Sequence, residues 1–384
     1  MKILQLGKFY PIRGGVEKVM WDLTLGLAER GVTSDMLCAY MKSDPIDAEH
    51  RDLCRETEEG REITLGPYGR VICVPAFAKR AKTMLSRAMV RWLRAHAAEY
   101  DVIHIHHPDP MAAVALLLSR YKGRVILHWH SDILAQKFLL FFYHPIQWWL
   151  VRRAERVIGT SPVYIHESRA LAHYQNKVIC VPIGISPIIF DAREANAIRT
   201  SMTGKKLVFA LGRLVPYKDF GTLVEAAKFL GPDYRIAIGG SGPMKEALLQ
   251  QIADGALQEK VQLLGYVESG DVPNWFGACD VFVLCSDRRT EAFGVVQIEA
   301  MSCGKPVVAT MIPHSGVSWV NENGVSGYNV HPHDSKALAA AIEKICEDPD
   351  IYMQFSAAAM ERFETLFTSR EMIDKIIKIY ENKM

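Results

Sequence analysis

Leu207-Val-Phe-Ala210, Gly212-Arg-Leu-Val-Pro-Tyr-Lys218-Asp219 and Phe220-Gly-Thr-Leu-Val-Glu-Ala-Ala-Lys-Phe229 form the stretch on which the fold turns. Four apolar residues in a row, closed soon after by a glycine, read as a short buried strand. Phe220, Leu223, Val224 and Ala227 then recur at helical spacing. Tyr234–Ile238 is strand-like again and Pro243–Ala253 helical. Strand, loop, helix and strand make a βαβ unit, which implies a parallel sheet. Ligands of such sheets gather at the carboxyl ends of the strands, so the loop Gly212–Asp219 is a place to look for chemistry.

The alternation continues in both directions. Val261–Leu263 and Val281–Leu284 read as strands, Gly294–Ser302 as a helix, Pro306–Ala309 as a strand and Ser335–Cys346 as a helix. Toward the start, Lys2–Leu6 is a strand and Gly14–Arg30 a helix that Gly31 ends. Val102–Ile105, Val125–Leu127, Val157–Ile158 and Val178–Val181 are further strands, with Met111–Arg120 helical. The expected class is α/β, with two Rossmann-like doubly wound domains in series, 1–188 and 189–368. A last helix, 369–384, can return to the first of them.

The chain has 384 residues, 49% hydrophobic and 23% charged, which excludes a disordered, collagenous or coiled-coil protein. Its net charge of +2 points to no nucleic-acid partner. Charge is nevertheless uneven, +7 over 1–190 and −5 over the remainder. Eight scattered cysteines without a CxxC pair fit reduced, buried thiols in the cytoplasm. Met1–Gly7 reads as a strand rather than a signal peptide, and polar residues make Ile133–Val151 a poor membrane span.

The strongest chemical signal is Glu291-Ala-Phe293-Gly294-Val295-Val-Gln-Ile-Glu299. Gly294 and Val295 fall where a helix begins, so their N–H groups are unpaired and suit a phosphate. Glu291 and Glu299 are suited to accept from sugar hydroxyls. Arg213 and Lys218 leave one strand together and can converge on a diphosphate, one as a fork and one as a point charge. Gly14 and Gly15 lie between a strand and a helix without the G-x-G-x-x-G spacing of a dinucleotide site. Gly240 and Gly242 form a second glycine-rich strand exit. His130, in Leu127-His-Trp-His-Ser-Asp132, follows a strand, whereas His128 is expected to point into the sheet. With His104, His106 and His107 these histidines invite a zinc reading, which the lack of a carboxylate or cysteine at ligand spacing opposes. Asp109-Pro110 is expected to shape an acceptor pocket, and Asp348-Pro-Asp350 to be a helix-ending turn rather than a metal motif.

Together, Glu291–Glu299, Pro11-Ile-Arg-Gly14-Gly15-Val-Glu17, Gly212–Asp219 and Gly239-Gly-Ser-Gly242-Pro resemble the group 1 (GT4-type) retaining glycosyltransferases of GT-B fold. The resemblance implies a cleft between two domains that close about a hinge near 186–192. It gives the donor diphosphate to Arg213 and Lys218, sugar hydroxyls to Glu291 and the ribose to Glu299. Phe293, Gly294 and Val295 lie at the donor site, Gly14 and Gly15 face the phosphates, Gly240 and Gly242 shape the nucleotide pocket, backbone near Val267 holds the base, and His130 steadies the sugar. No metal and no other cofactor is expected, since cations and helix dipoles replace magnesium. The flavour is that of lipopolysaccharide O-chain mannosyl- or rhamnosyltransferases, with GDP-mannose favoured and a UDP-sugar second. A nicotinamide oxidoreductase and an idle membrane scaffold are the rivals.

Lys79–Arg94 carries six cations and no acid, with Trp92 on an apolar helical face. It reads equally as a helix lying on anionic membrane and as a core helix with solvated cations. Phe138–Tyr143 and Trp148-Trp149 with Arg152 and Arg153 add aromatics for a polyprenyl-linked or glycan acceptor. The expected location is the cytoplasm, peripheral at the inner membrane face.

Overall fold

The computed structural model describes residues 1–12, 14–80, 83–133, 137–202 and 205–383. Two compact units emerge, Met1–Gly184 with Ser369–Met384, and Ile185–Thr368.

The first unit runs β1 (Lys2–Phe9), α1 (Gly15–Glu29), β2 (Thr33–Tyr40), β3 (Cys54–Thr57), β4 (Gly60–Thr64), β5 (Gly69–Pro75), β6 (Ala78–Arg80), β7 (Thr83–Leu85), α2 (Arg87–His96), β8 (Val102–His107), α3 (Pro110–Ser119), β9 (Arg124–Trp129), α4 (Lys137–Arg153), β10 (Arg156–Gly159), α5 (Pro162–Glu167) and β11 (Val178–Cys180). Its nine-stranded sheet has the order β11-β10-β9-β8-β1-β2-β5-β4-β3. All neighbours are parallel except in the β3–β4–β5 meander. Strand order reverses between β1 and β8, so the loops leaving those strands flank this unit's crevice. Every residue of β8 is buried, as a strand covered on both faces must be.

The second unit runs α6 (Ala192–Ser201), β12 (Lys206–Leu211), α7 (Phe220–Ala226), β13 (Tyr234–Gly239), α8 (Lys245–Asp254), β14 (Val261–Gly265), α9 (Val272–Ala278), β15 (Val281–Leu284), α10 (Val295–Ser302), β16 (Val307–Thr310), α11 (Val317–Val320), β17 (Gly327–Val330), α12 (Ser335–Glu347) and α13 (Pro349–Leu366). Its six strands are all parallel in the order β14-β13-β12-β15-β16-β17, and the reversal falls between β12 and β15. The last helix, α14 (Ser369–Tyr380), packs against α1 of the first unit with Met372, Ile373, Ile376, Ile379 and Tyr380 buried.

Two sequence expectations change here and a third is extended. Lys79–Arg94 is not one helix: β6 and β7 form a hairpin, and Ser86 caps α2 by accepting from Met89 N at 3.0 Å. Met89, Trp92 and Leu93 are buried in α2, so its apolar face belongs to the core while Arg87, Arg91 and Arg94 face solvent. Lys82 lies outside the described residues. Asp348 ends α12 as expected and also opens the next helix: its carboxylate accepts from Asp350 N at 3.0 Å and Ile351 N at 3.1 Å, with Pro349 in the first turn of α13. Asp109 likewise caps α3, accepting from Met111 N at 3.0 Å and Ala112 N at 3.1 Å, and also takes the Lys8 N–H. Its carboxylate is therefore committed to the fold, not to an acceptor pocket.

Candidate active site

In the second unit the loops leaving β12 and β15 meet at the reversal of strand order. Pro216–Lys218 makes a single 3₁₀ turn that folds Lys218 back toward the sheet, leaving the residue only 9% exposed. Its Nζ donates to Glu291 Oε2 at 2.5 Å. Ser286 Oγ donates to the same oxygen at 3.1 Å. Ser315 Oγ donates to Glu291 O at 2.5 Å and fixes the backbone of that loop. Two loops 73 residues apart in sequence thus share one largely buried ion pair.

A buried pair of this kind is costly to break from one side, because the remaining charge stays desolvated. Arg213, on the same loop, is exposed and its guanidinium has no partner among the described residues. The structure therefore brings Lys218 to Glu291 but leaves Arg213 apart from both.

Gly294 caps α10 in the left-handed region, φ 76° and ψ 65°, and no side chain caps the helix. A Cβ there would fall 2.7 Å from both Leu284 Cδ2 and Gln297 Nε2. Val295 opens the helix with its amide toward the loop, and Glu299 stands one turn on, half-buried. The Phe293 ring is core: it packs edge-on to Phe367, and only its backbone faces the loop, where its carbonyl accepts from Gln297 Nε2 at 3.0 Å. Gly240 holds φ 140°, and a Cβ would overlap the Gly212 carbonyl oxygen. That close approach, with Leu214 N donating to Ser241 O at 2.9 Å, braces the Arg213–Lys218 loop against the β13 exit. Gly242 abuts Leu214 in the same way. Val267 follows β14, half-buried, with a methyl 3.0 Å from the Cβ position of Gly239.

Sequence reasoning overlooked Ser286, and also the trio Asp219, Asp287 and His333. His333 Nδ1 lies 2.9 Å from Asp219 Oδ2, and its Nε2 3.6 Å from Asp287 Oδ2. Ser286 and Asp287 lie two and three residues beyond the end of β15, and that position alone is the signal that could have found them.

In the first unit, Gly14 caps α1 with extended backbone, and no ligand is needed to fill the space beside it. The Glu17 carboxylate occupies the place where a Gly14 Cβ would sit, and Glu17 is buried. That acid answers the positive end of the helix. Gly15 has open space around its Cβ position.

His130 follows β9 directly, 5% exposed. His128 does not point away from it. The two share a strand face, as residues two apart must, with ring centroids 4.0 Å apart. His104 and His106 lie on the same face, so four imidazoles form one buried group. Burial holds the pKa values of His104, His106 and His130 well below the usual histidine range and that of His128 at about 3, so all four are neutral. His107 faces the other way, stacked on Trp129 at 3.8 Å, with Nδ1 donating to Ser131 O at 3.1 Å.

Nitrogens of His104, His106 and His128 lie within 4.8 Å of one another. Zinc needs each of them about 2.0–2.1 Å from a single point. Both nitrogens of His106 are already bonded, to His130 Nε2 at 3.0 Å and Gln5 Oε1 at 2.9 Å. No acid among the described residues joins the cluster, and Lys8 adds positive charge beside it. The residues fit a group of mutually bonded neutral rings, not a dication.

The chain matches two family descriptions, Glycosyltransferase Family 4 over residues 13–187 and Glycosyl transferases group 1 over residues 191–362. Among curated relatives, the O-antigen chain mannosyltransferase C of Escherichia coli is 26% identical over 99% of this chain and 98% of its own. The D-rhamnosyltransferase WbpZ of Pseudomonas aeruginosa is 26% identical over 96% of this chain and 93% of its own. Among solved structures, Anabaena Alr3699/HepE in complex with UDP superposes with a TM-score of 0.78 at 22% identity, covering 100% of both chains. A sucrose-phosphate synthase from Thermosynechococcus elongatus gives 0.78 at 20% identity over 100% of this chain and 99% of that one. The oxidoreductase and idle-scaffold readings fall with these matches. Two Rossmann-like units, the Lys218–Glu291 pair at a strand-order reversal and an α10 without a side-chain cap fit the same assignment: the chain is a glycosyltransferase of GT-B fold and belongs to the group 1, GT4-type family.

Proposed function

We propose that this enzyme moves a hexose, with retention of anomeric configuration, from a nucleotide-diphosphate sugar to a glycan or polyprenyl-linked acceptor in cell-surface polysaccharide or lipopolysaccharide synthesis. The Lys218–Glu291 pair carries the reading. In the free protein the two groups neutralise each other. On donor binding the diphosphate takes Lys218 and Arg213, and Glu291 turns its acceptor oxygens to sugar hydroxyls. The amides of Gly294 and Val295 meet the phosphate end, Glu299 the ribose, and loops carrying Gly240, Gly242 and Val267 the nucleoside. Negative charge grows on the departing diphosphate in the transition state, where preformed cations and amides act most strongly. These charges do the work a divalent ion does elsewhere, so the donor site is assigned as metal-independent.

GDP-mannose is the donor we favour, because two of the near-full-length curated matches, both 26% identical, are named for mannose and D-rhamnose transfer. A UDP-sugar is the second reading, favoured by the HepE structures with UDP. The first unit is assigned the acceptor; its Gly14 and Gly15 are assigned to the donor phosphates and His130 to the transferred sugar. Peripheral membrane contact is assigned to exposed Phe141, Phe142 and Trp148 on α4, with Arg152 over the Trp148 ring at 5.2 Å, and to basic Lys79 and Arg80 of the β6–β7 hairpin. Among the described residues no helix is long and apolar enough to cross a membrane.

Calorimetric titration with GDP, UDP, ADP and NAD, with and without magnesium, tests the site. Binding of GDP without magnesium is the expected result. Selective UDP binding replaces the donor assignment, and binding of none overturns the site.

A further inference from the structure

The four stacked histidines are tied into an ordered chain by two groups that no motif marks. Gln5 of β1 pairs in register with His104 of β8, and His106 pairs with His128 of β9. Tyr380, from α14, closes over the same face. Tyr380 Oη lies 2.6 Å from His104 Nδ1, and Gln5 Nε2 donates to Tyr380 Oη at 3.2 Å. Gln5 Oε1 lies 2.9 Å from His106 Nε2, and His106 Nδ1 lies 3.0 Å from His130 Nε2. Every member is at least nine-tenths buried. The two ends, His104 Nε2 and His130 Nδ1, have no partner among the described residues.

Such a chain has only two proton orders, and each fixes every tautomer in it. The Gln5 amide decides between them: its Nε2 can only donate, to Tyr380 Oη, and its Oε1 can only accept, from His106 Nε2. Tyr380 therefore donates to His104 Nδ1 and accepts from the Gln5 amide nitrogen. Gln5 Oε1 then accepts from His106 Nε2–H. His106 Nδ1 is left as an acceptor and takes the proton of His130 Nε2.

We propose that Gln5, His106 and Tyr380 are positioning residues that hold His130 as its Nε2–H tautomer, leaving Nδ1 as a bare acceptor for a hydroxyl of the transferred sugar. This rests on the reading of His130 as a substrate-facing residue. A neutral imidazole without this chain divides between tautomers, and the wrong one offers a hydroxyl a donor instead of an acceptor. The remote α14 thereby sets the hydrogen-bonding polarity at the carboxyl edge of β9.

The test is long-range proton–nitrogen correlation NMR on the full chain labelled with ¹⁵N-histidine, using His130→Phe to assign the signal. His130 Nδ1 should be unprotonated and Nε2 protonated in the unsubstituted protein. A protonated Nδ1 overturns the proposal without any variant having to fold. In Gln5→Met and in Tyr380→Phe the His130 signal should move toward a tautomer mixture. Sugar-transfer kcat should fall about 3- to 10-fold, the scale of one neutral hydrogen bond, at unchanged nucleoside diphosphate affinity. Lower melting temperature with an unmoved His130 signal would make both residues merely structural and sink the relay. If the relay responds as expected but His130→Ala transfers sugar at full rate, the relay stands and the substrate-facing role of His130 falls.

Discussion

At the scale of single residues, Lys218 is the sharpest test. Lys218→Ala removes the charge that answers the departing diphosphate, and kcat should fall about 10²-fold or more. Unchanged far-ultraviolet dichroism together with an unchanged rate would take Lys218 out of the site. Lys218 and Glu291 were legible as residue types, because cations and acids at strand exits announce themselves. Their pairing was not, since nothing local to either segment encodes a contact across 73 positions. Phe293 illustrates the reverse: its place in a signature suggests contact with donor, yet its ring fills the core beside Phe367. Gln5 and Tyr380 were illegible for a related reason. Each is an ordinary residue until the sheet register and α14 bring it to the histidines.

At the scale of elements, caps explain both the correct readings and the misreadings. Strands such as Val281–Leu284 declared themselves through uninterrupted apolar runs. The interval after α1 went unread although Met36–Tyr40 of β2 and Val71–Val74 of β5 are apolar runs of the same kind. Lys79–Arg94 showed helical spacing throughout, and the Ser86 cap shows where the helix begins. Asp348-Pro349 has the composition of a turn and the physics of a helix start: the carboxylate takes two free N–H groups, and Pro loses nothing at a first turn. Asp348→Ala should therefore lower stability by about 1 kcal/mol in urea unfolding while transfer activity stays unchanged. A loss near zero would show that α13 needs no cap.

At the scale of the whole molecule, the buried imidazoles make the first unit sensitive to acid. His104, His106, His107, His128 and His130 all have pKa values lowered by burial, His107 and His128 to about 3. Below the ordinary histidine value of about 6.5, the unfolded chain takes up protons that the folded unit refuses, so stability falls as pH falls. The loss is up to ~1.4 kcal/mol per pH unit for each ring and ~7 kcal/mol per unit for five, an upper bound. Asp109, raised by burial, acts in the opposite direction. So does His96, where bonds from Glu99 and Glu59 outweigh the lowering by burial. Scanning calorimetry from pH 7.5 to 5.5 should show one transition moving down steeply, and His128→Phe should reduce its slope. A melting profile indifferent to pH would mean that protons reach these rings in the folded state. The two-unit α/β architecture was readable from alternation alone. The return of α14 to the first unit was readable only as one of two options, because its amphipathic face fits any sheet with an open flank.

That return of α14 has a consequence for how the protein is made. The first unit to leave the ribosome is the last to be finished, because its closing helix follows the whole of Ile185–Thr368. At usual rates of synthesis this interval lasts roughly 10–40 s, during which the histidine-bearing sheet face stands without Tyr380. The second unit is continuous and completes itself in that time. Nascent chains halted just short of residue 369 should therefore carry one folded unit and one that is still waiting for its lid.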